Sequence, residues 1–174
     1  MNKKNIVLVG FMGTGKTSVG KILSEKLNFP LVDMDSLIEA EEGKSINAIF
    51  ADEGEAHFRT LERQMTQKLA NQSGQIISTG GGIVLNPENI NDYKKNGLVI
   101  CLTASPETIL KRLKNDQSRP LLANDKEQSI LQLLETRKSL YGAIPNQLDT
   151  TQLDPETIAT KIIALYETNL EFNA

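Results

Sequence analysis

Short apolar runs alternate along the chain with longer amphipathic stretches. The runs at residues 5–9, 31–33, 75–78, 98–102 and 147–150 are β-rich and predict strands. Apolar positions recurring at helical spacing predict helices over 16–27, 45–51, 55–70, 87–94, 106–114, 126–141 and 155–168. Several of these open on a proline or a capping residue, which suits a helix start because the first N–H groups have no intrahelical partner. Such alternation implies a parallel sheet covered by helices on both faces, with ligands beyond the carboxyl ends of the strands. Residues 115–125 break the rhythm, being polar, containing Arg119-Pro120 and lying between two helices without strand character. They read as a flap over the site.

The chain has 174 residues, 39% of them hydrophobic, enough for one domain over 1–174 and too few for a second independent core. A formal net charge of −3 without a dense Lys/Arg block leaves no electrostatic footprint for nucleic acid or an anionic membrane. Lys3 and Lys4 precede apolar residues, but that stretch is shorter than the core of a signal peptide and reads as a first strand. No apolar run approaches the roughly 18 residues of a membrane span. The single cysteine, Cys101, cannot form an internal disulfide and lies in an apolar run, so it reads as a buried small hydrophobe in a protein of the reducing cytoplasm. His57, the only histidine, lacks a metal-ligating partner at suitable spacing and receives no role.

The chemistry begins at Gly10-Phe11-Met12-Gly13-Thr14-Gly15-Lys16-Thr17, a Gly-x-x-x-x-Gly-Lys-Thr phosphate loop between a strand and a helix. Its glycines let backbone N–H groups turn inward around phosphate oxygens. Lys16 reaches the β- and γ-phosphates in such a loop, and the Thr17 hydroxyl serves a Mg²⁺ ion, which prefers hard oxygen ligands. The alternative, a glycine-rich hairpin with an accidental lysine, fits the flanking elements poorly.

Four further groups stand out. Asp33 and Asp35 end the second strand, and residues two apart on an extended chain project to one side. There Asp33 would hold a magnesium shell through water and Asp35 would orient a substrate hydroxyl; the bland alternative is an Asp35 or Ser36 cap on a helix from Leu37, with Asp33 in a turn. Ser78-Thr79-Gly80-Gly81-Gly82 follows the third strand, and three glycines permit close backbone approach to a ligand, or a flexible turn. Arg137 falls within the apolar stripe of Ile130, Leu133, Leu134, Leu140 and Tyr141, so its guanidinium requires an anion, either an internal acid or a ligand carboxylate or phosphate. Arg59 has Glu55 and Glu62 one turn away on either side, and taken alone reads first as a surface pair along its helix.

Together these residues resemble shikimate kinase, a family in the nucleoside monophosphate kinase-like group of phosphate-loop proteins. The resemblance runs nearly end to end, through the phosphate loop, Asp33-x-Asp35, Gly54-Glu55 with Phe58-Arg59 and Glu62, Ser78 to Gly82, Arg119-Pro120-Leu121-Leu122, and Arg137 with Leu140-Tyr141. It implies a three-layer α/β/α fold with a five-stranded parallel sheet in the order 2-3-1-4-5. It also implies transfer of the γ-phosphoryl of ATP to the 3-hydroxyl of shikimate, with Mg²⁺, giving shikimate 3-phosphate and ADP on the way to aromatic amino acids. By the same resemblance Lys16, Asp35 and Arg119 are catalytic, and Asp35, Arg59, Gly80, Gly81, Gly82 and Arg137 hold shikimate, the two arginines gripping its carboxylate. The nucleotide falls to Gly13, Thr14, Gly15, Lys16, Thr17, Ser18, Arg112, Arg119, Asp154 and Pro155, with Arg112 stacked on adenine, and the metal to Thr17 and Asp33. The substrate-binding region spans about 33–62 and the lid about 112–125, in an enzyme expected to be monomeric. The chain departs from the family's usual Pro-Leu-Tyr after Arg137, reading Lys138-Ser139-Leu140-Tyr141.

Other classes fit less well. A gluconate kinase would share the loop, but paired arginines with a triple glycine favour a carboxylated ring polyol. A GTPase would want Asn-Lys-x-Asp, whereas Asn124-Asp125-Lys126-Glu127 has the wrong order. A catalytically silent nucleotide-binding module would be expected to have lost Lys16, Asp35 or Arg119.

Overall fold

Strand β1 (Asn5–Val9) is buried along its whole length, and its alternating side chains face opposite sides of the sheet. Val7 and Val9 belong to one core, Ile6 and Leu8 to another, and this division produces the three layers. In the computed structural model, which describes residues 3–114 and 126–172, β1 is the central strand of a five-stranded sheet. Its neighbours are β2 (Leu31–Asp33), β3 (Ile76–Ser78), β4 (Gly97–Thr103) and β5 (Gln147–Asp149), in the order β2-β3-β1-β4-β5, and every pairing is parallel. The expected order 2-3-1-4-5 is therefore observed.

One layer is α1 (Lys16–Leu27) with α8 (Pro155–Phe172), whose Val19, Leu23, Ile158, Ile162 and Tyr166 bury against Ile6, Leu8 and Ile100. The other comprises α2 (Met34–Glu42), α3 (Ile46–Asp52), α4 (Gly54–Ala70), α5 (Pro87–Asn96), α6 (Pro106–Leu113) and α7 (Lys126–Gly142). A 3-10 turn, Ile83–Leu85, precedes α5 and escapes the periodicity. Each fully buried Ile or Leu contributes roughly 1.5–3 kcal/mol, so the two cores hold the strands firmly in register.

That register builds the site. Leu8 lies opposite Ser78 and Asp33 opposite Ser78 on its other side, so the loops leaving β1, β3 and β2 emerge side by side at one edge. The second strand ends sooner than an extended Asp33-x-Asp35 requires. Asp33 is the N-cap of α2, its Oδ1 accepting the Ser36 N–H at 3.0 Å, and Asp35 sits in the first helical turn. The helix thus begins at Met34 rather than Leu37, because the first available acceptor captures the orphan amide.

Candidate active site

The loop after β1 is shaped by glycines in conformations that side chains resist. Gly13 and Gly15 have φ of 77° and 98°, and at Gly10 (φ 147°) a Cβ would run into the Leu102 carbonyl. Gly15 caps α1 without a side-chain acceptor, leaving the helix N-terminus, with its partial positive charge, at the end of the loop. The Lys16 ammonium spans the loop, donating to the carbonyls of Gly10 at 2.7 Å and Phe11 at 3.0 Å. Thr14 turns inward, its buried hydroxyl donating to the Phe11 carbonyl at 2.8 Å. It shapes the loop from behind.

A cleft of about 180 Å³ opens beside this loop, lined by Gly13, Gly15, Lys16, Thr17, Ser18, Asp33, Asp35, Ser78, Thr79, Gly80 and Gly81. Asp33 and Asp35 thus share the cleft although one caps the helix and the other lies within it. Thr79 closes the seam, its N–H and hydroxyl both donating to the Leu8 carbonyl at 3.1 Å.

The three glycines are each matched to one charged side chain. A Cβ on Gly80 would lie 2.8 Å from Asp35 Oδ1, one on Gly81 would lie 3.8 Å from an Arg137 Nη, and one on Gly82 would lie within the Arg59 guanidinium, 2.7 Å from its Cζ. The bare backbone of Gly80 and Gly82 leaves room for Asp35 and Arg59, and Arg137 comes within ordinary contact distance of Gly81, so the three charged side chains converge on one turn of backbone. At Gly80 and Gly82 the close approach is that of charged side chains of the same chain.

Arg59 is also held along its own helix. Its Nε and Nη2 donate to Glu55 Oε1 at 3.2 and 3.0 Å, and its Nη1 donates to both oxygens of Glu62 at 3.1 and 2.9 Å. The surface pairing read from the sequence is present, but Glu62 is only 2% exposed and lies on the face with Phe58, Met65 and Leu69. Burial pushes the Glu62 carboxyl above its ordinary range and nearby Asp35 adds to this, while Arg59 and Arg137 pull it back. Tyr141 closes the far side. Its hydroxyl donates to the Gly81 carbonyl at 2.5 Å, and burial pushes the phenol up to about 12 against the opposing pull of Arg137. Neither Glu62 nor Tyr141 stood among the expected site residues, although a charge on the apolar face of α4 was a signal for the first.

The stripe on α7 is narrower than expected: Ile130 and Tyr141 are buried, Leu133 and Leu134 are partly covered, and Leu140 is 37% exposed. Arg137 accordingly sits at the edge of the core, facing Gly81. On the nucleotide side, Arg112 Nη1 donates to the Gly13 carbonyl at 2.9 Å and its Nη2 to the Thr150 carbonyl at 2.8 Å. Asp154 caps α8, accepting from the Thr157 N–H at 2.8 Å and hydroxyl at 2.9 Å, with Pro155 in the first turn. Arg119 and the 115–125 flap lie outside the described residues. Cys101 is buried, with its thiol pushed up to about 11 by burial, and His57 pairs with Glu53 at 2.6 Å.

A phosphate loop at the exit of a central parallel strand, an acid and two arginines gathered at the neighbouring exits, and a sheet of this order define a phosphate-loop kinase of small molecules. The shikimate kinase family model matches residues 12–167. A shikimate kinase of Caldicellulosiruptor saccharolyticus is 48% identical over 94% of this chain and 95% of its own, and one of a Sulfurihydrogenibium species is 49% identical over 92% and 96%. The solved shikimate kinase of Acinetobacter baumannii in complex with shikimate superposes with a TM-score of 0.89, at 37% identity over 96% of this chain and 94% of that one. A gluconokinase of Sinorhizobium meliloti, at 14% identity and a TM-score of 0.61, shares the fold alone. The chain belongs to the shikimate kinase family and is an ATP-dependent kinase acting on an alcohol.

Proposed function

We propose that this cleft binds shikimate between Asp35, Arg59 and Arg137 and phosphorylates its 3-hydroxyl from ATP held by the loop around Lys16. The observation that carries this reading is the convergence of those three side chains on Gly80, Gly81 and Gly82, beside the phosphate loop. Two guanidiniums fit a carboxylate, and a neighbouring acid fits a ring hydroxyl. Phosphoryl transfer asks chiefly for positioning and charge neutralisation. Asp35 aims the attacking hydroxyl and accepts its proton, while Lys16 and the α1 amides balance charge on the transferred group. Arg119 adds a further guanidinium from the lid, and Arg112 with Asp154 and Pro155 flanks the adenine.

Thr17 and Asp33 line the same cleft with oxygen donors, a set that suits Mg²⁺ bound mostly through water and phosphate. When bound, the metal screens and orients the β- and γ-phosphates. The enzyme acts as a cytoplasmic monomer without nucleic-acid or membrane partners. Among the described residues no helix is long and apolar enough to cross a membrane. The test is ADP formation with ATP, Mg²⁺ and shikimate, compared with reactions lacking each component and with gluconate in place of shikimate. ADP release indifferent to shikimate would overturn the proposal.

A further inference from the structure

Thr150, the residue after β5, lies far in sequence from the phosphate loop yet touches its backbone, and it is only 3% exposed. Its Oγ1 is 2.9 Å from the Thr14 carbonyl, 3.0 Å from the Thr103 carbonyl and 3.1 Å from Arg112 Nη1. The same Arg112 Nη1 donates to the Gly13 carbonyl at 2.9 Å, while Nη2 donates to the Thr150 carbonyl at 2.8 Å. A hydroxyl has a single proton. The Thr103 carbonyl also accepts the Thr150 N–H at 2.8 Å, whereas the Thr14 carbonyl is the shorter of the two contacts of the hydroxyl and its oxygen receives Arg112.

We infer that Thr150 is a positioning residue for nucleotide binding, using one buried hydroxyl to pin the crest of the phosphate loop to the ends of β4 and β5. The inference rests on the loop around Lys16 being the nucleotide site. Gly13 and Gly15 adopt left-handed conformations that cost entropy to order, and the Gly13 and Thr14 carbonyls between them must face away from the phosphates for the N–H groups to face inward. Thr150 and Arg112 are the partners that hold the Thr14 and Gly13 carbonyls in that outward direction. Valine has nearly the shape of threonine but would leave a buried carbonyl and a guanidinium without this partner, whereas serine keeps the hydroxyl.

The experiment measures ADP and shikimate dissociation constants by calorimetry, with Tm, for the wild type, Thr150→Val, Thr150→Ser and, as a control on the nucleotide site, Lys16→Met. Expected is an ADP affinity about 10-fold weaker in Thr150→Val, with shikimate affinity within about twofold and Thr150→Ser close to wild type. Unchanged ADP affinity in Thr150→Val, whatever its Tm, overturns the inference, as does an equal loss for both ligands. If Thr150→Val does not fold, Thr150→Ala takes its place, and failure of both to fold marks the hydroxyl as structural and equally overturns it. ADP affinity unmoved by Lys16→Met would instead sink the assignment of the nucleotide site itself.

Discussion

Gly82→Ala is a substitution whose cost comes almost entirely from a single neighbour. The Gly82 backbone has φ −83° and ψ −1°, a conformation alanine adopts freely, so no backbone penalty arises and loss of unfolded-state entropy would favour the variant slightly. The new methyl, however, would lie 2.7 Å from Arg59 Cζ, against the ~3.5 Å of ordinary carbon contact, so the guanidinium must retreat by about an ångström. The end of an arginine normally swings aside cheaply. This one is anchored by bonds of 2.9 and 3.1 Å to Glu62 and 3.0 and 3.2 Å to Glu55, and Glu62 is too buried for water to replace the lost partner. Hydrogen bonds to charged groups are worth about 1.5–3 kcal/mol, so a displaced guanidinium that loses one or two of them to the proposed substrate carboxylate gives up about 2–4 kcal/mol of transition-state binding. We expect kcat/KM for shikimate to fall about 30- to 1000-fold, with the KM for ATP within about twofold. The cycle with Arg59→Ala isolates the cause: in that background Gly82→Ala should be almost silent. An equal penalty in both backgrounds, or a single variant within about threefold of wild type, would refute the close-approach reading.

Lys16→Met should lower kcat by several orders of magnitude while leaving the circular dichroism spectrum and Tm near wild type, because the ammonium contacts two loop carbonyls rather than a core and, in the proposed site, serves the nucleotide. Near-normal turnover would remove it from the mechanism. Tyr141→Phe keeps the ring and deletes the hydroxyl bonded to the Gly81 carbonyl, so the shikimate KM should rise about 3- to 30-fold with little change for ATP; equal effects on both substrates would argue against local positioning. Burial raises the Glu62 carboxyl above its unfolded value of 4.5, and a raised acid contributes stability that is full below that value and lost as pH rises through the folded one. The unfolding free energy of the wild type relative to Glu62→Gln should therefore decline with rising pH just above 4.5 and then level off, and a difference that climbs over this window contradicts the burial argument.

Local signals carried most of the architecture. The phosphate loop is legible because its chemistry resides in one octet, and the strands and helices because burial on two sheet faces or one helix face writes a period into the sequence. The resemblance carried by dispersed motifs suggests roles that spacing alone left open, most clearly at Arg59, whose flanking acids by themselves point first to a surface pair. Other features depended on packing. The start of α2 turned on which of Asp33, Asp35 and Ser36 served as its N-cap, a choice within one turn that residue types do not decide. The exposure of Leu140 and the burial of Glu62 depend on where a neighbouring element covers a helix, since periodicity gives a face but not its width. Likewise Gly80, Gly81 and Gly82 read as permissive backbone until the tertiary structure brought Asp35, Arg137 and Arg59 against them, and Thr150 carried no signal because its partners lie far away in the chain. Composition and periodicity determine what each segment can bury. Only the folded chain decides which polar groups meet, because those contacts form between segments whose relative placement is set by the core.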